Sequence, residues 1–418
     1  MRRLLFLFLI IGASVFAGYH VICVWRGMAL SQKAYTKDSL LEAARIEPSN
    51  PDPFQKLGVI HQYNLLQVDL NESAGYFKKA IERNPLEQEY WLHLARIYQR
   101  MGEVAASERA LENAILVFPT SYRGRWVTGN LLLQQGEIER ALPHFSYILA
   151  HYPNQSSLVY EVWTRTVEDP DFILERLVPE DSSSLNRYLG YLYDAGDTKS
   201  ARKTWAKLVS LDQKPDRART IRHIEFLISH GDLTEAAQIW KARLRAEGLP
   251  IPSDGNTVTN GGFERDELLG GGFDWRIRPV NGAGVSFDHS VAFEGNRSLK
   301  IAFNGKENVD FHHVSQYVAL KPDTPYSLTA HMKTEDITTK SGLKMEILGV
   351  GPVFYRALEP LTGTNDWKEL TVTFRTPANS TGGMIRLRRS KTDKFDRFIS
   401  GTAWVDNIQI RETTKQTR

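Results

Sequence analysis

The stretch PLEQEYWLHLARIYQRMGEVAASERALENAILVFP, residues 85–119, decides the fold of the N-terminal part of the chain. Its apolar residues recur at three- and four-residue steps, which places them on one face of a helix before Gly102 and of a second helix after it. Gly102 supplies the turn between the two helices, and Pro119 ends the second one. The stretch therefore predicts a helix hairpin.

The same hairpin returns with a fixed period along residues 35–247. Prolines recur every 34 residues at Pro85, Pro119 and Pro153, and turn glycines recur with the same spacing at Gly102 and Gly136. Less regular copies continue toward residue 247, and an introductory helix is expected over residues 37–46. We therefore expect about five helix pairs in this segment.

The size pattern inside the hairpins is also regular. The first helices carry the small residues Gly58, Ala95 and Gly129, and the second helices carry the large residues Phe77, Leu111 and Phe145. This pattern resembles the tetratricopeptide repeat. One hairpin cannot bury its apolar face alone, so the copies must stack into an α-solenoid. Such a solenoid is expected to dock a protein partner in its groove; a rigid spacer without a ligand is the alternative.

Residues 1–26 predict a transmembrane helix. Two arginines precede a run without charged residues from Leu4 to Trp25. At about 1.5 Å per helical residue, this run is long enough to cross the hydrocarbon core of a bilayer. An uncleaved anchor with the arginines left inside is favoured, and a cleaved signal peptide ending at Ala17 is the alternative. Both place the bulk of the chain outside the cytoplasm.

Residues 248–256 predict an extended linker, because Pro250 and Pro252 prevent a helix there. After this linker the apolar pattern changes from helical spacing to alternation. Short alternating runs separated by turns predict an antiparallel β-sandwich over residues 257–413, with jelly-roll topology favoured. The fold class is therefore multidomain α plus β, a solenoid followed by a sandwich. The predicted strands cover residues 298–303, 314–320, 326–332, 343–348, 368–374, 384–388 and 403–410.

Five short motifs occur in order along the predicted sandwich. They are NGGFE at 260–264, GNRSLKI at 295–301, PYSL at 325–328, DW at 366–367 and AWVDNI at 403–408. This series resembles the jelly-roll carbohydrate-binding modules of the galactose-binding-like superfamily. Together with the anchor and the repeats, the chain resembles bacterial envelope proteins associated with exopolysaccharide or O-antigen production. The resemblance implies the bacterial inner membrane, with a single span and the bulk of the chain in the periplasm.

The resemblance also implies a structural calcium ion that ties the two ends of the sandwich together. The matching residues are Glu264 in the opening motif and Asp406 in the closing one. Carboxylates and backbone carbonyls are the hard oxygen ligands that calcium prefers. The alternative is that both side chains cap turns or pair with basic neighbours, and no cofactor is required.

Glycan binding would use aromatic rings against the apolar face of a sugar. Trp275 and Tyr355 are the candidate rings, because both lie in segments expected to be loops. Trp367, by contrast, is expected in the core.

Arg386 and Arg388 share one face of a predicted strand and belong to a basic run. They would attract an acidic polysaccharide or a phospholipid headgroup. An ordinary solvated basic surface is the alternative.

Composition excludes several classes of protein. The chain has 418 residues, and a net charge of +3 from 52 basic and 49 acidic residues argues against nucleic acid as the main partner. One cysteine excludes an intrachain disulfide. No nucleophile elbow, phosphate loop or dinucleotide fingerprint occurs in the sequence, and no carboxylate pair is singled out for glycoside hydrolysis.

The sequence thus predicts a non-enzymatic, membrane-anchored envelope protein. Its solenoid docks a protein partner, and its sandwich binds polysaccharide within a polysaccharide assembly or export system. A structural scaffold without glycan binding is the alternative from another class, and a glycan-active enzyme is a third, less favoured one.

Overall fold

The computed structural model of the chain describes residues 2–33, 36–64, 68–211, 215–252, 255–265 and 267–413. Part of the predicted linker, residues 253–254, lies outside the described residues. The chain forms two compact units, one up to Thr204 and one from Trp205 onward. The first unit is helical, and the second contains the last helix pair and a β-sandwich.

The described residues contain a long N-terminal helix followed by short helices of similar length. The bounds are α1 (Arg2–Lys33), α2 (Lys37–Ile46), α3 (Asp52–Tyr63), α4 (Leu70–Arg83), α5 (Gln88–Met101), α6 (Val104–Val117), α7 (Tyr122–Gln134), α8 (Ile138–His151), α9 (Ser156–Val167), α10 (Pro170–Phe172), α11 (Ser182–Ala195), α12 (Thr198–Ser210), α13 (Arg217–Ser229) and α14 (Leu233–Ala246). The introductory helix predicted over residues 37–46 is α2, and the predicted hairpins are successive pairs from α3 onward.

Helix α1 is longer than the apolar run that predicted it. Its segment Phe6–Lys33 is long and apolar enough to cross a membrane, a property that a signal sequence shares. The last turns of α1 contact the helices that follow. The Ser31 carbonyl accepts a hydrogen bond of 2.6 Å from Lys56 Nζ, and Ser31 itself is buried. The C-terminal end of α1 is therefore packed into the helical unit.

Glycines shape the turns of the hairpins, as the sequence predicts. Gly102, Gly136, Gly196 and Gly231 all lie in the left-handed region, with φ between 70° and 80°. Residues with a side chain rarely adopt that backbone conformation, whereas glycine adopts it without a steric cost. The turn positions of these four hairpins are therefore fixed by their glycines.

The size pattern of the repeat is a packing rule. A Cβ added at Gly58 would lie 2.6 Å from the ring of Phe77, and one added at Gly129 would lie 2.5 Å from the ring of Phe145. Both phenylalanines are fully buried. The first helix of each of these hairpins needs a small residue at this position, because the second helix packs a large ring against it.

Residues 154–187, which lack a clear helical pattern, form an irregular pair. Helix α9 is followed by the single turn α10 and by a short π-helix, Ile173–Leu177. The buried residues of this segment nevertheless include Trp163, Ile173 and Leu177. Buried side chains therefore keep this segment within the helical stack, although its sequence no longer follows the repeat pattern.

The sandwich consists of two antiparallel five-stranded sheets. The first sheet has the order β1-β4-β9-β6-β7 and the second sheet has the order β2-β3-β10-β5-β8. The strands are β1 (Arg276–Ile277), β2 (Ala283–Asp288), β3 (Ser298–Asn304), β4 (Val314–Ala319), β5 (Pro325–Ile337), β6 (Lys344–Gly349), β7 (Tyr355–Ala357), β8 (Gly363–Arg375), β9 (Gly382–Arg388) and β10 (Ser400–Glu412). All seven predicted strands are present. The sheets enclose one apolar core, which includes Ile301, Leu328, Ile347, Leu387 and Val405.

The last helix pair packs on the sandwich. Trp240 of α14 is buried, its Nε1 lies 3.4 Å from Thr259 Oγ1, and its ring meets Gly272, where a Cβ would lie 2.9 Å away. Arg276 of β1 forms an ion pair of 2.5 Å with Glu225 of α13. The change from helix to strand falls at the predicted linker, 248–256, but these contacts place α13 and α14 in the same compact unit as the strands.

Candidate functional site

The outer surface of the first sheet carries charged side chains on the neighbouring strands β6 and β9. Met345, Ile347, Ile385 and Leu387 point into the core, so the alternating residues of β6 and β9 point outward. Antiparallel register places Glu346 opposite Arg386 and Lys344 opposite Arg388. We call Lys344, Glu346, Tyr355, Arg386 and Arg388 the polar face.

Glu346 is the centre of the polar face, although its side chain is only 3% exposed. Its Oε1 accepts a hydrogen bond of 2.7 Å from Arg386 Nε, and its Oε2 accepts one of 2.9 Å from the Tyr355 hydroxyl. Lys344 Nζ donates to the same hydroxyl at 3.0 Å. The buried carboxylate holds its two donors in fixed orientations, and the Tyr355 hydroxyl in turn fixes Lys344, so these polar groups are pre-organised.

Arg388 is anchored at one side of the polar face. Its guanidinium donates to Asp310 Oδ1 at 2.5 Å and to the Phe311 and Arg389 carbonyls. Burial raises the pKa of Asp310, but the hydrogen bonds from Arg388 and from the Lys391 N–H outweigh it and lower that pKa. Asp310 thus stays ionised as the counter-charge of Arg388.

The structure corrects the expectation that Trp275 offers an exposed ring. Its side chain is 1% exposed and lies in the sandwich core, 5.1 Å from the ring of Phe263. Its Nε1 donates to the Asn260 carbonyl at 3.0 Å. The irregular chain around Trp275 packs inward because the opening motif covers it. Tyr355, by contrast, is 45% exposed.

The structure brings the opening and closing motifs of the sandwich together. A Cβ at Gly261 would lie 2.1 Å from the Ile408 carbonyl oxygen, and the Gly261 carbonyl accepts a hydrogen bond of 3.0 Å from the Ile408 N–H. Strand β10 has a bulge between Asp406 and Gln409, where Asn407 has φ of 45°. Such a bulge re-aims the neighbouring side chains.

Glu264 and Asp406 lie on the same side of this junction. A Cβ at Gly262, which lies beside both, would be 3.7 Å from Asp406 Oδ1 and 3.8 Å from Glu264 Cγ. Burial raises the pKa of Asp406, and the nearby charge of Glu264 adds to the shift, while N–H donors from residues 293, 294 and 407 oppose it. The carboxylate is therefore held where a cation would favour its charged form.

The two carboxylates fit two of the ligands that a calcium ion needs. Among the residues that the structure describes, no group of three or more His, Cys, Asp or Glu side chains surrounds a common point. Backbone carbonyls of the same loops would have to supply the other ligands. This donor set is oxygen-only, which suits calcium and not zinc.

The outer surface of the second sheet carries aromatic rings that the sequence assigned differently. Trp367 of β8 was expected in the core, but it points outward and is half-buried. Phe293, in the loop between β2 and β3, is 44% exposed and had not been identified as a candidate. The loop patterning gave no sign that Phe293 would reach Trp367, because the contact joins residues far apart in sequence.

The helical unit has a small cavity between α3, α5 and α7. Its volume is about 290 Å³, and its lining includes Arg96, Arg100, Trp126 and Asn130. Arg100 donates to the Gln62 carbonyl at 3.0 Å. The lining therefore combines two arginines with the amide side chains of Gln62, Gln99, Asn130 and Gln134.

Two family matches agree with the two parts of the chain. Residues 94–156 match the tetratricopeptide repeat family, and residues 255–392 match the carbohydrate binding domain family.

Among curated proteins, the chain is 24% identical over 167 residues to the tRNA(Glu)-specific nuclease WapA of Bacillus subtilis subsp. natto and to the tRNA nuclease WapA of Bacillus subtilis. Each alignment covers 38% of this chain and 7% of the relative. The chain thus spans a small part of the length of the curated relatives it matches.

Solved structures with similarity to the chain include carbohydrate-binding modules. A structure entitled Family 16 Carbohydrate Binding Module-2 is 25% identical, covers 37% of this chain and 99% of its own, and has a TM-score of 0.27. The CBM22-1 xylan-binding domain of Paenibacillus barcinonensis Xyn10C is 16% identical, covers 39% and 97%, and has a TM-score of 0.28. With the two family matches and the observed sandwich, this chain contains tetratricopeptide repeats and a C-terminal domain of the carbohydrate-binding-module type.

Proposed function

We propose that this chain is a non-enzymatic envelope protein that binds an acidic polysaccharide through the polar face of its sandwich. The observation that carries the proposal is the pre-organised cluster of Tyr355, Arg386 and Lys344 around buried Glu346, in a domain of the carbohydrate-binding family. The exposed ring of Tyr355 offers a surface on which a sugar can stack. The cationic side chains of the polar face offer hydrogen-bond donors to the carboxylates of an acidic polysaccharide.

Charge supports an acidic ligand for the polar face. Lys344, Arg386 and Arg388 lie on the face, and Arg356 follows Tyr355 on the edge strand β7. Glu346 and Asp310 neutralise only part of this charge, because the cations outnumber the two carboxylates. A uronic acid or a phosphorylated sugar would form charge-assisted hydrogen bonds with the remaining N–H groups.

We propose that the helical unit docks a protein partner. Arg96 and Arg100 line the cavity between α3, α5 and α7, next to the half-buried ring of Trp126. Stacked helix hairpins present such lining residues on rigid elements, which lowers the entropic cost of binding. The partner is expected to belong to the same polysaccharide assembly or export system.

The membrane and the compartment complete the proposal. Helix α1 would remain as an uncleaved single span in the bacterial inner membrane, with the two N-terminal arginines inside and the bulk of the chain in the periplasm. The resemblance to exopolysaccharide and O-antigen proteins supports a role in polysaccharide assembly or export. Mass spectrometry of the intact chain from membranes separates the anchor, which keeps its N terminus, from a cleaved signal peptide.

A calcium ion held by Glu264 and Asp406 is also part of the proposal. It would join the opening and closing motifs and offset the repulsion between the two carboxylates. Removal of calcium with EDTA is expected to lower the melting temperature of the sandwich unit, and added calcium should restore it. A melting temperature insensitive to both would remove calcium from the account.

Affinity electrophoresis tests the proposed glycan binding. The full chain should be retarded in gels containing alginate or polygalacturonate, and Tyr355→Ala should weaken this retardation by about ten-fold if the ring stacks on a sugar. The double variant Glu346→Gln/Arg386→Gln tests the charges without leaving a buried carboxylate unpaired.

Arg375→Ala is the matched control, because Arg375 is an exposed arginine of the second sheet that pairs with Asp323 at 2.7 Å. Its retardation should equal that of the unmodified chain. If no acidic polysaccharide retards the unmodified chain, a structural scaffold becomes the better account. If polysaccharide is shortened during the assay, the non-enzymatic account is wrong.

A further inference from the structure

We infer that the outer surface of the second sheet is a second glycan-binding site, which takes a neutral pyranose on the aromatic rings of Phe293 and Trp367. The inference rests on the proposed function, because it assumes that the sandwich binds polysaccharide. It assigns a different face and a different ligand charge from the polar face. We call Phe293, His331 and Trp367 the aromatic platform.

In the aromatic platform, Phe293 forms the base on which a sugar would lie, and Trp367 flanks it at an angle. The ring of Phe293 lies on the imidazole of His331, with 3.7 Å between ring centres and 16° between planes. His331 therefore covers one face of Phe293, and the 44% of Phe293 that is exposed belongs to its other face and edges. Trp367 stands at 63° to Phe293, with 5.9 Å between ring centres. The C–H groups of a pyranose carry slight positive charge and are attracted to such ring faces.

The loop that carries Phe293 is held in place, so the base is rigid. The N–H groups of Phe293 and Glu294 donate to Asp406 Oδ2 at 2.9 and 3.1 Å, and those of Asn296 and Arg297 donate to Glu264 Oε1 at 2.9 and 3.3 Å. A loop with its backbone fixed by two carboxylates pays little entropy when a ligand binds. The exposed ring is thus presented by an ordered segment.

The rim of the aromatic platform favours a ligand without negative charge. Glu369 lies 3.4 Å from His331, and its side chain is 65% exposed. Asp366 is 87% exposed and pairs with Lys333 at 2.7 Å, and Glu294 is exposed beside Phe293. Carboxylates accept hydrogen bonds from sugar hydroxyls, and they repel uronic acids. The platform and the polar face therefore select glycans of different charge.

Affinity electrophoresis of the full chain with neutral polysaccharides tests this inference. The probes are hydroxyethyl cellulose, xylan and laminarin, with alginate as the acidic probe. Retardation by at least one neutral probe is expected. Phe293→Ala and Trp367→Ala should each weaken it by about ten-fold, while Trp367→Phe, which keeps a ring, should retain most of it. Arg375→Ala, at an exposed residue of the second sheet outside both sites, should leave the neutral retardation unchanged.

A purely structural role for these rings predicts other results. Thermal melting of each variant identifies loss of folding, and Glu369→Lys, a surface change, tests the rim if Trp367→Ala does not fold. This variant should admit alginate at the aromatic platform and so increase retardation by alginate in a Tyr355→Ala background. The inference is overturned if folded Phe293→Ala and Trp367→Ala chains keep full neutral retardation. It is also overturned if no neutral probe retards the chain; retardation by alginate alone would then still support the proposed function.

Discussion

At the scale of single residues, the helical unit depends on positions in the first helices where only a small residue fits against the second helix. Gly58 and Gly129 face the buried rings of Phe77 and Phe145, and Ala95 takes the same place in the copy whose second helix carries the smaller Leu111. The sequence predicted which residues are small and which are large. It did not state that they touch, because a pattern along one chain does not give distances.

Gly129→Ala is expected to destabilise the helical unit. The new Cβ would lie 2.5 Å from the ring of Phe145, and overpacking of this kind costs about 1–3 kcal/mol. Gly75→Ala is the matched control, because Gly75 lies inside α4 with nothing within 4 Å of a new Cβ. That change should stabilise the unit by about 0.5–1 kcal/mol, since alanine has the better helix propensity. Urea denaturation followed by circular dichroism measures both; a stabilised Gly129→Ala would contradict the packing rule.

Two half-buried histidines predict how the stability of the helical unit depends on pH. Burial lowers the pKa of His93 to about 4, helped by Arg96, and burial with Arg125 lowers the pKa of His144 to about 4. Between pH 6.5 and 4 the unfolded chain binds more protons at these residues than the folded chain. The contribution of the two neutral histidines to the free energy of unfolding is therefore complete above about pH 6.5 and is lost as the pH falls toward 4.

Thermal melting between pH 7 and 4 measures this effect. The melting temperature of the helical unit should fall with pH, and the double variant His93→Gln/His144→Gln should show a smaller slope over this range. His151→Gln is the control, because His151 is exposed at the end of α8. An equal slope in the double variant and in the unmodified chain would show that other groups control the pH dependence.

At the scale of elements, the helix pair α13–α14 packs within the sandwich unit. The buried ring of Trp240 on Gly272, the Glu225–Arg276 ion pair and the hydrogen bond from Thr381 Oγ1 to the Gly231 carbonyl join it to the strands. The sequence placed these helices in the repeat, because their spacing resembles the other hairpins. Which neighbour a hairpin packs against is not encoded in its own period.

Trp240→Ala is expected to destabilise the sandwich unit. Removing a buried tryptophan leaves a cavity that costs about 3–5 kcal/mol. Hydrogen exchange should then show lower protection at the backbone amides of Thr259 and β4, which lie near the ring or contact α14. Val353→Ala, at a residue 94% exposed, is the control and should leave exchange unchanged. Unchanged protection of the strands in Trp240→Ala would mean that the helices do not support the sandwich.

The two candidate glycan sites show what sequence patterning can and cannot predict about elements. Alternation along β9 correctly put Arg386 and Arg388 on one outward face. It could not reveal Glu346 as the partner of Arg386, because the pairing of β6 with β9 joins residues 40 positions apart. Trp275 was misplaced for the opposite reason: an irregular segment was expected at the surface, but the opening motif folds over it.

At the scale of the whole molecule, each part of the chain has a separate task in this account. Helix α1 has the length and composition of a membrane span, the helical unit carries the repeat, and the sandwich unit has two faces with different chemistry. Two faces on one rigid sandwich would bind two segments of polysaccharide at once, which raises avidity without new contacts. Composition and resemblance predicted the order of these parts along the chain. Only the structure showed that the last helix pair packs in the same unit as the strands.

Binding of polysaccharide without cleavage is tested by retention of the full chain on immobilised polysaccharide, with the length of the polysaccharide determined afterwards. We expect that the chain is retained on acidic polysaccharide, that Tyr355→Ala weakens this retention, and that the polysaccharide is recovered at its original length. A chain that passes through every polysaccharide column, or that shortens the polysaccharide it holds, would contradict the account.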